Sequence, residues 1–124
     1  MTAAPQTVEL RRLRKRAQFL NAATGQRAGR TAFSLQAIAV AEPDAGIGLT
    51  VTKKTGNSPQ RNRIKRRLRA AVRACGTDFH AQHDYVLVGR RDALTLPFSK
   101  IVSDLSSAIA KVHAKPRDPG TARP

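Results

Sequence analysis

The chain has no tryptophan, one tyrosine, four phenylalanines, one cysteine and eight acidic residues. Each scarcity removes a class of function. Cys75 has no partner within the chain, so no internal disulfide forms, and it reads as a small buried hydrophobe. His80, His83 and His113 are the only histidines and follow no zinc-site spacing, so no metal site is expected. The acids are scattered, whereas a metal-dependent nuclease needs clustered carboxylates. Asp84 and Asp92, which flank a strand region, read as turn or edge residues. Ser58 before Pro59 reads as a helix cap rather than a nucleophile. No stretch reaches the roughly 18 to 20 apolar residues that span a bilayer. Leu10, Leu13 and Leu20 are interrupted by Arg11, Arg12, Arg14, Lys15 and Arg16, which breaks up any secretory signal. A cytoplasmic protein with no membrane contact is expected.

What the chain has in excess is positive charge. Its 23 Lys and Arg residues leave a formal net charge of +15 over 124 residues. A compact fold tolerates that density best beside a polyanion. Sixteen of the 23 bases lie between residues 11 and 73, and no acid occurs from Ala45 to Thr77. The length suits one domain. Residues 1–9 and 114–124 are rich in Ala, Pro, Thr and Gly and read as flexible tails around a body at 10–113.

Along that body, Leu13 to Ala23 reads as a short helix stopped near Gly25, with a polar loop from Gly25 to Arg30. Thr31 to Val40 and Gly46 to Lys53 read as strands joined by Glu42-Pro43-Asp44-Ala45-Gly46, and an antiparallel pair is expected. In the second strand Ile47, Leu49 and Val51 point one way, and Gly48, Thr50 and Thr52 the other. Ser58 is expected to cap a helix from Pro59 to about Cys75, closed by Gly76. Ile64, Leu68, Ala71, Val72 and Cys75 form its apolar stripe; Arg61, Arg63, Lys65, Arg66, Arg67, Arg69 and Arg73 occupy its other sides. Asp84 to Gly89 reads as a buried strand, and Pro97 to Val112 as a closing helix with Ile101, Leu105, Ile109 and Val112 on one face.

Nine bases and no acid between Lys53 and Arg73 repel one another unless phosphates lie alongside. Arg offers forked donors suited to phosphate oxygens. Basic density alone does not separate RNA from DNA. The run Gly46-Ile47-Gly48-Leu49-Thr50-Val51-Thr52-Lys53-Lys54-Thr55-Gly56-Asn57, followed by Arg61-Asn62-Arg63-Ile64-Lys65-Arg66-Arg67-Leu68-Arg69, is more specific. It resembles the signature of the bacterial ribonuclease P protein family. Leu13-Arg14-Lys15-Arg16 leading to Phe19 is similar to that family's first helix, Asp84 to Val88 to its last strand, and Pro97-Phe98 to its C-terminal end.

The resemblance implies an α+β sandwich of about four strands with flanking helices. It also implies a left-handed β-α-β crossover, as in the second domain of a small-subunit ribosomal protein. It implies a protein subunit of an endoribonuclease in which RNA catalyses removal of the 5′ leader from precursor tRNA. Magnesium ions are then held by the RNA and the substrate. The partners are the catalytic RNA and precursor tRNA, with no obligate protein partner. Arg61, Asn62, Arg63, Lys65, Arg66 and Arg69 would face the catalytic RNA, beside Lys53 and Lys54, with Arg14, Lys15 and Arg16 adding to the same surface. Phe19, Phe33, Gly48, Thr50 and Thr52 would form the cleft for the single-stranded leader, where aromatic rings stack on unpaired bases. No side chain is assigned to bond cleavage. Two departures from the family are visible. Ala22 or Ala23 stands where many relatives carry a second aromatic, and Gln36 where a strand tyrosine is common. A general structured-RNA-binding or ribosome-associated protein is the competing reading. A DNA-binding regulator fits less well, because strands rather than a helix-turn-helix partner flank the basic helix.

Overall fold

Strict alternation along the strands assigns each residue to one of two sheet faces, and the two faces carry different layers. The computed structural model describes residues 10–114. In chain order the elements are β1 (Leu10–Arg12), α1 (Arg16–Ala22), β2 (Gln26–Gly29), β3 (Phe33–Ala39), β4 (Ala45–Thr50), α2 (Ser58–Ala74), β5 (His83–Gly89) and α3 (Phe98–Ala114). Short 3-10 turns cover Lys53–Thr55, Gly76–Asp78 and Arg91–Leu94. The five strands make one mixed sheet in the order β1-β4-β5-β3-β2. β1, β4 and β5 run parallel; β5 with β3, and β3 with β2, run antiparallel.

On one face, Phe33, Leu35 and Ala37 of β3, Ala45 of β4 and Tyr85 and Leu87 of β5 pack with Ile64, Leu68 and Ala71 of α2. Ile101, Leu105 and Ile109 of α3 complete this main core. The stripe expected on the basic helix is the one buried, Cys75 included. On the opposite face Leu13, Ala22 and Val86 form a smaller cluster with Phe19, Ile38 and Val88 against it. α1 covers only part of that side.

Four expectations need correction. β3 and β4 are not paired, because β5 lies between them, antiparallel to β3 and parallel to β4. The segment read as a polar loop contains strand β2, which buries only Ala28 and so shows no alternation to read. The sheet therefore has five strands rather than about four, with Leu10–Arg12 adding one beside β4. The cap of α2 is Asn57 rather than Ser58: Asn57 Oδ1 accepts from Gln60 N at 3.0 Å, and Gln60 Oε1 accepts from Asn57 N at 2.9 Å. That reciprocal pair satisfies two end donors at once and puts Ser58 and Pro59 inside the first turn. Of the tails expected at 1–9 and 114–124, residues 1–9 and 115–124 lie outside the described residues, and Ala114 instead closes α3.

Candidate nucleic-acid interface

With its apolar stripe buried, α2 presents its basic residues in two unlike states. Arg61 and Arg67 spend their donors on the protein. Arg61 Nη1 donates to Gly56 O at 2.8 Å and Nη2 to Ser58 Oγ at 3.1 Å, which holds the turn before the helix. Arg67 Nη1 donates to Leu94 O at 3.3 Å and its Nη2 to Leu96 O, fastening the segment that leads into α3. Asn62, Arg63, Arg66, Arg69 and Arg73 are exposed and Lys65 is half-buried. Lys53 and Lys54 are exposed in the 3-10 turn just before α2. Arg91, from the 3-10 turn after β5, reaches the same corner, donating to Thr55 O at 3.0 Å.

α1 supplies a second basic group. Gln18 Oε1 accepts from the backbone N–H groups of both Arg14 and Lys15, each at 3.0 Å, so this turn is fixed while Arg14, Lys15 and Arg16 point to solvent. One helical turn on, Phe19 lies directly on β4. A Cβ added to Gly48 would sit 2.7 Å from Cε2 and Cζ of the ring, so only a bare backbone admits Phe19 there. Phe19 and Gly48 line a groove of about 420 Å³ along the β1-β4 edge, whose other wall is Lys65, Arg69 and Arg73 of α2. An aromatic ring and guanidinium groups therefore border one recess.

Register extends the α1-side face beyond the helix. Thr50, Val88 and Ser34 are cross-strand neighbours, as are Gly48, Val86, Gln36 and Arg27. Thr50, Ser34 and Gln36 are half-buried, and Thr52 and Arg27 are exposed. Gln36, at the position where relatives often carry a tyrosine, thus lies on the cleft side. Ala22, one of the two candidates for the missing second aromatic, is the last residue of α1 and fully buried against the sheet, while Ala23 is exposed. Phe33 does not belong to this cleft. It alternates with Leu35 and Ala37 and is fully buried in the core on the other face.

Asp84 is neither a turn nor an edge residue. It is buried in β5 and accepts from Arg11 Nη2 at 2.7 Å, and the same Nη2 donates to Asp44 O at 2.8 Å. Gly46 leaves the room for this pair, since a Cβ there would collide with Asp84 Oδ1 and lie 2.7 Å from Leu13 Cδ2. Asp92 is exposed, and its carbonyl accepts from the backbone N–H groups of Thr95 and Leu96. The buried carboxylates are committed to partners, Asp104 to Lys100 at 2.9 Å. Among the described residues no group of three or more His, Cys, Asp and Glu side chains is arranged to hold a metal ion.

Spacing does not foretell that the three histidines meet. His80 and His113 stack with centroids 3.6 Å apart, and His83 stands edge-on to His113 at 4.6 Å. Tyr85 Oη accepts from His80 N at 2.8 Å and lies 2.6 Å from His113 Nε2. Burial, then the neighbouring His80 and His83, push His113 down to about 4. Burial pushes the Tyr85 hydroxyl up to about 12, so it remains protonated and can donate to a neutral His113. Burial also raises the Cys75 thiol, with the Asp78 carboxylate adding to the effect.

Sequence reasoning leaves three site residues unassigned. Arg12 and Arg73 line the Phe19 groove. Phe98, three residues before Ile101, shares the stripe spacing of α3, yet it starts the helix and is 42% exposed. Pro97 just before it marks the helix start, which is the available signal.

The arrangement defines a small α+β protein with a main apolar core, a smaller apolar cluster between α1 and the sheet, and a basic, partly aromatic surface. A match to the family described as Ribonuclease P covers residues 9–113. The chain is 47% identical over 107 residues to the ribonuclease P protein component of Bartonella quintana, covering 79% of this chain and 80% of that one. It is 43% identical over 110 residues to that of Ruegeria pomeroyi, covering 82% and 86%. Among solved structures it resembles a Staphylococcus aureus RNase P protein mutant (TM-score 0.69, 28% identity, 82% of this chain and 88% of that one). The Thermotoga maritima RNase P protein shares the fold (TM-score 0.69, 21% identity, 86% and 98%). This chain belongs to the ribonuclease P protein component family, the protein subunits of an endoribonuclease of tRNA processing that associate with ribonuclease P RNA.

Proposed function

We propose that this chain binds the catalytic RNA of ribonuclease P through α2 and the two basic turns. On this reading it guides the 5′ leader of precursor tRNA over the α1-side face of the sheet. The observation that carries the reading is the Phe19 ring on Gly48, facing Lys65 and Arg69 across one groove. A single strand presents alternating bases and phosphates, and this groove offers a stacking surface and phosphate donors within reach of each other. Thr50, Ser34 and Gln36 continue the path with small polar groups that impose little sequence choice.

Bond cleavage is assigned to the RNA, with magnesium held by RNA and substrate phosphates. The protein's contribution is electrostatic: α2 lowers the repulsion between two phosphate backbones brought together, and the groove holds the leader so that the scissile bond is presented. The work belongs in the cytoplasm, and among the described residues no helix is long and apolar enough to cross a membrane.

The test is reconstitution. The chain is added to bare ribonuclease P RNA at a magnesium concentration too low for the RNA alone, and leader removal from precursor tRNA is followed. Restored cleavage is expected. RNA binding without restored cleavage would favour a general structured-RNA-binding protein.

A further inference from the structure

Phe98 sits where an apolar ring has no need to be. Of the other phenylalanines, Phe33 and Phe79 are buried and Phe19 is half-buried on Gly48. A lone exposed ring means little by itself. Around this one, however, α2 places Arg63, Arg66 and Arg67, with Ala70 completing a shallow hollow of about 480 Å³. Arg67 is held by the carbonyls of Leu94 and Leu96, four and two residues before Phe98, so the α2 wall and the ring are tied together. Arg63 and Arg66 are exposed, and neither guanidinium forms a hydrogen bond or ion pair among the described residues. The hollow lies on the flank of α2 turned toward α3, away from the Lys65 and Arg69 flank that borders the Phe19 groove.

Building on the RNA-binding reading above, we propose that Phe98, Arg63 and Arg66 form a second nucleotide receptor, which takes one unpaired nucleotide of structured RNA. The base stacks on the Phe98 ring, and its flanking phosphates are gripped by Arg63 and Arg66. Ala70 contributes by being small, leaving the hollow open. The site gives α2 a contact that a regular duplex cannot satisfy, since paired bases offer no free face. It thereby anchors the protein in one register on its RNA, where phosphate contacts alone would let it slide.

The chain contains no tryptophan, so Phe98→Trp introduces a single reporter. Its fluorescence should be quenched on adding ribonuclease P RNA, with affinity close to that of the unmodified chain. Phe98→Leu keeps apolar bulk at the start of α3 but offers no aromatic face. It should bind the same RNA roughly 5- to 150-fold more weakly, with an unchanged melting temperature and an unchanged slope of log affinity against log salt. Wild-type affinity in Phe98→Leu, unquenched indole fluorescence when Phe98→Trp is bound to the RNA, or equal losses on a fully paired RNA duplex would each overturn the receptor while leaving the basic-helix reading intact. Failure of the unmodified chain to bind ribonuclease P RNA would remove both.

Discussion

The two faces of the sheet use the same strands for opposite ends. On the α2-α3 face the inward positions of β3 and β5 are apolar or glycine apart from His83 at the rim, and the layer above is closed. On the α1 face the corresponding positions are Gly46, Gly48 and Thr50 on β4, Ser34, Gln36 and Ile38 on β3, and Asp84, Val86 and Val88 on β5. A seven-residue helix covers only part of them. The first face carries stability. The second has given up burial for small side chains and an open approach, so substitutions on the two faces should have separable effects.

The largest expected effect tests the closed face. Ile64→Ala removes a fully buried side chain beneath the basic surface of α2 and should cost about 2 to 5 kcal/mol of unfolding free energy. In urea titrations the midpoint should fall, while RNA affinity measured on folded protein stays near wild type. Lost affinity with an unmoved midpoint would mean that the α2 faces are assigned the wrong way round.

The open face is tested next. Phe19→Ala should weaken precursor tRNA binding by about 1 to 3 kcal/mol and spare mature tRNA, since only the precursor carries a leader to stack. Gly48→Ala approaches the same ring from below and must displace it, because the new Cβ would lie 2.7 Å from two ring atoms. Such crowding costs about 1 to 3 kcal/mol, and here it should show as lost preference for the precursor. Equal losses on both tRNAs would make Phe19 a packing residue and the face merely incomplete.

Within α2 the contrast narrows to single arginines. Neutralising about five or six phosphates predicts a slope of log affinity against log salt near −4 to −5. Arg66→Ala and Arg69→Ala should each reduce its magnitude by about 0.7 to 0.9. Arg67→Ala should leave the slope almost unchanged. Its guanidinium serves the Leu94 and Leu96 carbonyls, and losing it should cost about 1 to 3 kcal/mol of stability. RNA titrations at fixed magnesium and varied monovalent salt separate the two roles.

Much of this is legible in the sequence, for identifiable reasons. The α2 stripe and the alternation of β4 are periodic over many residues, and the folded chain keeps both. The order of the sheet is not legible, because β5, which begins 33 residues after β4 ends, decides it by inserting between β3 and β4. Parity puts Phe33, Leu35 and Ala37 on one side but does not tell which side α1 takes, which is why the cleft expected from the sequence includes Phe33 and the folded one does not. Arg61, Arg66 and Arg67 look alike as letters. Only the carbonyls that reach Arg61 and Arg67 distinguish structural arginines from those free to meet phosphate.

The smallest expected effect returns to the closed layer, at its rim. His113 on α3 is neutral in the folded protein near pH 7, and its Nε2 lies 2.6 Å from the Tyr85 hydroxyl, whose ring belongs to the main core. Burial, with His80 and His83 close by, lowers its folded-state pKa from 6.5 to about 4. Between those two values the unfolded chain binds a proton that the folded chain refuses, so stability falls as pH drops through that window and levels off below it. The ring keeps part of its surface in water, which screens the effect to under about 1 kcal/mol. His113→Gln cannot take up that proton but can still accept the Tyr85 hydrogen bond. Melting temperatures at pH 7, 6, 5 and 4.5 should therefore decline less steeply in His113→Gln than in the unmodified chain. The salt slope of RNA binding at pH 7 should be identical in the two, because the histidine cluster lies on the core side of the sheet. Parallel pH profiles would overturn this role for His113 and remove the acid sensitivity from the rim of the closed face.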